Sequence, residues 1–257
     1  MLTNLTLHLQ KEAGASLGYN SSSLFQGTLM EYVSPEYGAV LHQTGLKPYA
    51  QYIEAGKETL RWHILTMTKE AGEQIIDKVL KADLSCVHLK HKDLKLPITQ
   101  KEMKTMTYEE LLEKEYFGTG SRYAEIKFIS PAAFKSKGVY VFHPDIRLIF
   151  QSLMNKFDAC CDSASIGSEE VLEHLAENIV VSRYNLRSVQ FHMEGIRIPS
   201  FLGSVTLRIN GPQPLVNLAQ LLLAFGEYSG VGIKCAIGMG GIARISGEER
   251  KKHDREL

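Results

Sequence analysis

The same order of strands and helices occurs twice along this chain, and this repetition constrains the fold more than any single motif does. Leu5, Leu7 and Leu9 alternate with polar residues, which is typical of a half-buried strand. Residues 24–42 favour helix, with a break at Ser34 and Pro35 where a second helical piece begins. The first half then continues with predicted strands at 47–53 and 60–67, an amphipathic helix at 70–82 and a strand at 84–89.

The second half repeats this order after a short connector. Thr107 and Glu110 have the spacing of a capping box, which predicts a short helix that ends near Tyr116. Residues 117–121 are typical of a joint between domains. The elements predicted beyond it are a strand at 123–129, a hairpin through 134–142, helices at 145–160 and 168–178, strands at 186–193 and 203–209, a helix at 214–225 and a last strand at 242–245.

Each half therefore has the order β-α-β-β-α-β, which is the ferredoxin-like plan. Two such units fit the pattern better than one large sheet. We predict an α+β protein with two tandem ferredoxin-like (RRM-like) domains and antiparallel sheets. The predicted boundaries are 1–118 for the N-terminal domain, 119–246 for the C-terminal domain and 247–257 for a charged, disordered tail.

The composition is that of a globular protein with a sizeable core, since 44% of the 257 residues are hydrophobic and 23% are charged. No apolar run is long enough to span a membrane, and the first residues carry no basic region of a signal peptide. The four cysteines lack the spacing of a zinc site. We therefore expect a cytoplasmic protein with no membrane association, no metal and no cofactor. A formal net charge of zero argues against coating nucleic acid through bulk charge but allows a local basic surface.

A glycine-rich segment near the C-terminus is the strongest local signal of function. Six glycines lie between residues 226 and 241, with Lys234 among them. Glycine permits positive φ and close backbone approach, so such a loop can offer amide N–H groups to phosphate. We predict that the segment holds an RNA backbone through these residues: Gly230, Gly232, Lys234, Gly238 and Gly240.

Two nucleotide-binding motifs are excluded at this segment. A dinucleotide fingerprint needs a third glycine where Cys235 stands and a following βαβ unit, for which too little chain remains. A Walker loop needs the sequence Gly-Lys-Ser/Thr, which this segment lacks. The remaining alternative is a glycine-rich turn whose role is tight packing, and glycine content alone does not decide between packing and RNA binding.

Two other parts of the chain are locally basic. The stretch from His88 to Lys104 is typical of a solvated face. The other borders an aromatic-rich hairpin, and there we predict RNA contacts by Lys135, Lys137 and Arg147.

A candidate catalytic pair lies where the first helical stretch ends. His42 ends the helix, and Lys47 begins the next strand. Histidine exchanges protons near neutral pH, and a nearby lysine stabilises charge that develops on phosphorus. Together they suit RNA cleavage by the RNA's own 2′-hydroxyl, which requires no metal. The alternative is that His42 only stabilises the helix C-terminus through the helix dipole.

Three stretches together resemble a known family. They are 41–49 with His42 and Lys47, the segment 128–145 with its aromatic hairpin, and the glycine-rich segment. In order and spacing they are similar to the CRISPR-associated endoribonuclease that excises guide RNAs from repeat transcripts, a member of the RAMP superfamily. The resemblance covers nearly the whole chain except the tail.

The resemblance implies two ferredoxin-like domains with repeat RNA bound against them, and metal-independent cleavage that leaves a 2′,3′-cyclic phosphate. It implies a catalytic role for His42, a supporting one for Lys47, and a tyrosine on the first helix. The position that matches this tyrosine falls near Met30, so we take Tyr32, two residues on, as the candidate, with a structural tyrosine as the alternative. Catalytic residues vary in this family, so a phosphate-binding role for Lys47 also stays open.

A catalytically inactive RNA-binding member of the same superfamily is the alternative function. The two-histidine phosphoesterases are excluded, because they need two His-x-Ser/Thr motifs and only His42 heads one. The sequence leaves open the sequence and shape of the repeat, a possible homodimer and a possible CRISPR effector complex that receives the product.

Overall fold

The computed structural model describes residues 1–245 except 13, 15, 44, 83 and 194. The first half contains a run of strands and helices that ends in a short helical connector. Its elements are β1 (Leu2–Gln10), a 3₁₀ turn (Tyr19–Ser21), α1 (Ser22–Met30), α2 (Pro35–Gln43), β2 (Tyr49–Ala55), β3 (Thr59–Thr66), α3 (Lys69–Ala71), a π-helical turn (Gly72–Ile76), α4 (Asp77–Lys81), β4 (Cys86–Leu89), a 3₁₀ turn (Lys90–Lys92), β5 (Leu94–Met106), α5 (Tyr108–Leu111) and a second π-helical turn (Leu112–Tyr116).

The first sheet has the strand order β2-β3-β1-β5-β4, and every neighbouring pair is antiparallel. With β5 as the fourth strand, this is the ferredoxin-like order. Leu5, Leu7 and Leu9 of β1 are fully buried, as their alternation predicts. They share a core with Trp62 of β3 and Phe25 of α1, whose rings meet edge to face at 5.1 Å.

The second half forms a separate sheet. Its elements are β6 (Tyr123–Ala132), β7 (Phe134–Ser136), β8 (Val139–Val141), α6 (Ile146–Cys160), α7 (Glu169–Asn178), β9 (Ile179–Met193), β10 (Ile196–Ile209), α8 (Gln213–Ser229), a 3₁₀ turn (Cys235–Ile237) and β11 (Ile242–Arg244). The order β11-β6-β10-β9 is again ferredoxin-like and antiparallel, and β7 and β8 form a separate hairpin.

The predicted α+β class with two ferredoxin-like units is confirmed. The capping box is present too, since the Glu110 amide donates to Thr107 Oγ1 at 3.0 Å and the Thr107 amide to Glu110 Oε2 at 2.8 Å. The predicted boundary after residue 118 falls between the second π-helical turn and β6, and the tail lies outside the described residues.

One strand was missed, and the strand predicted at 84–89 has another place in the sheet. Residues 84–89 were expected to supply the fourth strand, but β4 pairs only with β5 at the sheet edge, and β5 lies beside β1. Much of β5 is exposed on both faces, so its sequence lacks the alternation of apolar and polar residues that marks a half-buried strand. The strands β9 and β10 are also longer than expected and form one hairpin.

The two halves pack against each other beside the glycine-rich segment. Ala50, Tyr52 and Leu65 of the first sheet form an apolar cluster with Cys235 and the partly buried Ile129 of the second half. This contact brings β2, which follows His42 and Lys47 in the chain, against the glycine-rich segment.

Candidate functional site

The end of α2 presents His42 to solvent. Tyr37 and Leu41, four residues apart and therefore on one side of the helix, are buried in the N-terminal core. His42, the next residue, is exposed. The packing of α2 thus fixes its buried side and leaves the histidine accessible to a substrate.

Lys47 folds back onto the same helix end. Its Nζ donates a hydrogen bond to the carbonyl oxygen of Leu41, one of the last four carbonyls of α2, which have no partner within the helix. The lysine ammonium is therefore held at the residue that precedes His42. The structure brings this predicted pair together at one helix end, with Lys47 half-buried and His42 exposed.

Tyr32 lies between α1 and α2, at the opposite end of α2 from His42. Burial, followed by the neighbouring Glu31 and Cys86, raises the pKa of its phenol, and Lys90 partly offsets this. Tyr37 lies closer to His42 in the chain, but burial, with Glu70 next in weight, raises its pKa to about 12 and its ring belongs to the core. Both phenols therefore stay protonated near neutral pH, and Tyr32 is separated from His42 by the length of α2, about 13 Å at 1.5 Å per residue.

The strand after Lys47 supports the glycine-rich segment directly. Gln51 of β2 is fully buried; its Nε2 donates to the Ser22 carbonyl at 3.1 Å, and its Oε1 accepts from Trp62 Nε1 at 2.9 Å. Gly238 packs over Ser22 so closely that a Cβ there would overlap the serine side chain. A Cβ on Gly241 would likewise overlap the ring of Tyr52. These contacts join the segment to α1 and β2 of the other domain.

The amides of the four predicted RNA-binding glycines all donate within the protein. Their acceptors are the Gly226 carbonyl for Gly230 (2.9 Å), Ser152 Oγ for Gly232 (2.8 Å), the Cys235 carbonyl for Gly238 (3.3 Å) and the Pro131 carbonyl for Gly240 (2.9 Å). All four have positive φ. The structure thus shows the packing role that the sequence left open, and RNA contact by these glycines stays a prediction.

Lys234 differs from the glycines around it. It has a left-handed backbone with φ of 56° and begins the 3₁₀ turn Cys235–Ile237. Its side chain is exposed, while Gly230, Gly238 and Gly240 are buried. Within this segment, Lys234 is therefore the predicted RNA-binding residue whose side chain an RNA phosphate can reach.

A buried lysine that the sequence analysis missed anchors the beginning of the segment. Lys156 of α6 is only 6% exposed, and its Nζ donates to the carbonyls of Ser229 (3.2 Å) and Gly230 (2.9 Å) and contacts Cys235 Sγ at 3.0 Å. The sequence feature that indicates its burial is its position seven residues after the buried Ile149, which places it on the apolar side of α6.

The comparison with known proteins decides the family. A sequence model of the family described as CRISPR-associated endoribonuclease Cas6 matches residues 126–242. Over 230 residues the chain is 37% identical to the CRISPR-associated endoribonuclease Cas6 of Streptococcus thermophilus, which covers 88% of this chain and 91% of that protein. The chain belongs to the Cas6 family of CRISPR-associated endoribonucleases. The resemblance that the sequence predicts is therefore confirmed.

Two further Cas6 proteins extend the comparison. The chain is 33% identical over 248 residues to the Cas6 of Mycobacterium tuberculosis (strain CDC 1551 / Oshkosh), or 94% of this chain and 77% of that protein. It is similar in fold to Thermus thermophilus Cas6 (TTHB231) in a product complex, with a TM-score of 0.79 and 24% identity over 95% of this chain and 100% of that one. The last likeness concerns the fold alone.

The basic residues that were predicted beside the aromatic hairpin of this Cas6-family chain occupy two different settings. Lys135 and Lys137 are exposed on the β7–β8 hairpin, with Lys135 Nζ 5.9 Å from the centre of the Tyr140 ring. Arg147 of α6 instead pairs with Glu169 and, at 3.6 Å, with Glu173 of α7. An RNA phosphate would have to displace these carboxylates, so Arg147 is the weakest of the three predicted contacts.

A polar cluster lies on the face of the first sheet opposite its helices. The His63 ring stacks on Tyr52 at 4.5 Å; its Nδ1 lies 3.0 Å from Thr6 Oγ1 and its Nε2 3.8 Å from Glu54. Burial lowers the pKa of His63, partly offset by Glu54. The contact with His63, together with Arg61 and Lys127 of the second sheet, lowers the pKa of Glu54, partly offset by burial.

The described residues contain no group of three or more His, Cys, Asp or Glu side chains arranged to hold a metal. Among the described helices, none is long and apolar enough to cross a membrane.

Proposed function

We propose that this Cas6-family chain cleaves CRISPR repeat transcripts into guide RNAs without a metal ion. The 2′-hydroxyl 5′ to the cleaved bond attacks phosphorus and loses its proton, the bond from phosphorus to the 5′-oxygen breaks, and that oxygen gains a proton. The products are a 2′,3′-cyclic phosphate and a 5′-hydroxyl. The observation that carries the proposal is the exposed His42 with the Lys47 ammonium at the same helix end, in a chain of this family.

His42 exchanges a proton with one of the two reacting oxygens, and Lys47 stabilises the negative charge that develops on the phosphoryl oxygens. Lys47 also binds the Leu41 carbonyl, so it orients the helix end that carries His42. Tyr32 stays a predicted catalytic residue, and its raised phenol pKa would let it act as a hydrogen-bond donor.

Cleavage of a transcript of the native repeat tests the reaction directly. We expect cutting at one bond in EDTA, a product with a cyclic phosphate end, and no cutting when the nucleotide 5′ to that bond is 2′-deoxy. A strict Mg²⁺ requirement or a 3′-hydroxyl product would show that the mechanism is wrong. Tight binding without cleavage would indicate the catalytically inactive RNA-binding alternative.

We further propose that Lys234, Lys135 and Lys137 contact RNA phosphates, with the glycines positioning Lys234. Lys234→Ala should reduce the slope of log affinity against log salt by about 0.7 to 0.9, the value for one phosphate contact. Lys78→Ala, which removes an exposed lysine from α4, is the matched control. If both variants bind like the wild type at every salt concentration, Lys234 does not contact the RNA. Pairing of two copies and transfer of product to an effector complex remain predictions.

A further inference from the structure

An apolar groove of about 580 Å³ lies between α7 and the beginning of α8 in the second domain. Val171 of α7 and Leu215 and Leu218 of α8 line it, and all three side chains belong to the core of that domain or pack against it. Tyr116, the last residue of the second π-helical turn, lines the groove as well. The hydrophobic core of the second domain therefore reaches the surface at this groove.

Exposed apolar side chains continue the groove at the surface. Phe117 is 75% exposed, and its ring meets that of Tyr116 edge to face at 5.3 Å. Pro214 lines the groove and is exposed too. A continuous apolar surface with a polar border is typical of a protein interaction site.

Glutamates of α7 border the groove. Glu170, Glu173 and Glu177 line it, and their spacing of three and four residues places them on one side of the helix. The lining residues that the structure describes include no lysine or arginine. Glu173 lies 3.6 Å from Arg147, whereas Glu170 and Glu177 form no ion pair with any described residue. The groove is therefore both apolar and negatively charged.

The stability of α7 itself does not account for Glu177. Glu170 lies in the first turn, where the helix dipole favours a carboxylate. Glu177 lies in the last turn, where the dipole disfavours a carboxylate, and four residues from Glu173, a spacing at which like charges repel. A binding partner with positive charge would offset both effects.

The charge of the groove indicates the kind of partner. A row of carboxylates repels RNA phosphates, so the groove does not continue the RNA-binding surface. The row from Glu170 to Glu177 is about 10 Å long at 1.5 Å per residue, which matches two turns of a helix lying alongside it. A basic amphipathic helix suits the groove, because its apolar side enters the groove while its lysines and arginines meet the glutamates. Residues 247–257 of this chain carry as many acids as bases and lack this charge.

We propose that the groove between α7 and α8 is a docking site for a basic amphipathic helix of a protein partner. Its occupation does not depend on the proposed function. None of the predicted catalytic or RNA-binding residues is among its described lining residues, so the partner and an RNA can be bound at the same time.

The probe for the test is a fluorescein-labelled helical peptide of about four turns, with leucines on one face and lysines along both flanks. Fluorescence anisotropy measures its binding to the full-length protein at several salt concentrations. Glu170→Lys with Glu177→Lys should weaken binding at least about tenfold at low salt, because two attractions become repulsions. Glu12→Lys with Glu58→Lys makes the same change of charge at exposed positions of the first domain and should bind the peptide like the wild type.

The apolar part of the site is tested separately. Leu218→Gln should weaken peptide binding by a similar factor at every salt concentration, since it removes an apolar contact rather than a charge. Phe117→Ser should act in the same direction, and because Phe117 is exposed this variant keeps the fold. Melting temperatures close to that of the wild type confirm that the variants fold. In the wild type, bound peptide should slow amide hydrogen exchange in α7 and in the first turns of α8.

Three outcomes would overturn the proposal. If the groove variants and the first-domain control bind the peptide equally well, the peptide binds by general charge attraction and the groove is not a docking site. If the wild type sediments as a dimer and Glu170→Lys with Glu177→Lys as a monomer, a second copy of this chain occupies the groove. If Leu218→Gln and Phe117→Ser weaken binding of the repeat transcript instead of the peptide, RNA occupies it. Cleavage of the repeat transcript in EDTA tests the proposed function independently of all three.

Discussion

The glycine-rich segment and the end of α2 differ in how much of their polar chemistry is already used inside the protein. In the segment, the amides of the four positive-φ glycines Gly230, Gly232, Gly238 and Gly240 donate to internal acceptors. At the end of α2, His42 is exposed and Lys47 holds the adjacent carbonyl. The glycine-rich segment, which has the more conspicuous sequence motif, uses its amides in packing, whereas the end of α2 presents the candidate reactive side chain to solvent.

The two regions therefore differ in role: the glycines position other parts of the structure, and His42 is the candidate for the chemistry. The glycines let the chain pass between Ser22 and Gln51 on one side and the backbone of the second domain on the other. They place Lys234 and pack against β2, the strand that begins shortly after Lys47. Substitutions at the glycines should therefore change stability first, and substitutions at His42 should change rate alone.

The largest effect is expected at His42. His42→Ala should slow cleavage by about 10² to 10⁴, the usual contribution of a positioned acid or base. Because the side chain is exposed, the melting temperature should hardly change. Single-turnover cleavage of repeat RNA at saturating protein gives the rate, and Gln43→Ala, its exposed neighbour in α2, is the control. If the folded His42→Ala protein cuts at the wild-type rate, His42 is not catalytic and only stabilises the C-terminus of α2.

The next effect concerns the stability of the glycine segment. A Cβ on Gly240, at φ of 71°, would overlap the Val231 carbonyl oxygen, whereas one on Gly138, at φ of 83°, meets nothing within 4 Å. Gly138→Ala should cost about 1 kcal/mol of unfolding free energy from the left-handed backbone. Gly240→Ala should cost about 2–5 kcal/mol, because a backbone clash is added. Urea unfolding measures both changes. If Gly138→Ala and Gly240→Ala lose the same unfolding free energy, the packing role of Gly240 is contradicted.

A local effect is expected at Lys156. Lys156→Met removes the ammonium from the Ser229 and Gly230 carbonyls, and Ser229 Oγ still donates to the latter at 2.9 Å. An unsatisfied buried acceptor costs about 1–3 kcal/mol, so amide hydrogen exchange in 229–241 should accelerate roughly 5- to 150-fold. Exchange in the core of α8 should stay slow. Lys78→Met is the control, and unchanged exchange in the segment would show that Lys156 does not anchor it.

The smallest effect is a dependence of stability on pH through His63. Burial lowers the pKa of this histidine below its ordinary value of 6.5, so the unfolded chain takes up the proton first as the pH falls. The stability that His63 contributes is therefore complete above about pH 7 and declines below 6.5. Glu54 affects stability in a separate pH range. Because its pKa is lowered in the folded protein, the stability that it contributes is lost only below about its ordinary pKa of 4.5.

We expect the melting temperature to fall between pH 7.5 and 5.5, and to fall less in His63→Gln. His143→Gln replaces an exposed histidine and is the control. Calorimetric scans across this range measure the difference. If the two variants and the wild type lose the same stability, His63 does not contribute to the pH dependence.

The success and failure of the sequence analysis follow the range of the contacts involved. The Thr107 capping box and the β7–β8 hairpin, with Lys137 and Gly138 at its turn, depend on neighbours within a few residues, and both are where the pattern placed them. By contrast, β5 was missed because its residues are exposed on both faces, and only pairing with β1 makes it a strand. The Arg147 contact with Glu169 spans 22 residues and leaves no local signal.

The sequence by itself determined the element order apart from β5, the two ferredoxin-like units, the family and the placing of a histidine and a lysine at one helix end. These follow from hydrophobic periodicity, capping residues and motif order, which act over short stretches of chain. The tertiary structure alone decided that the glycine amides are satisfied internally and that Lys156 lies beside the start of the glycine-rich segment. Such contacts join residues up to about a hundred positions apart, because folding brings distant surfaces together while local propensity specifies only neighbouring residues.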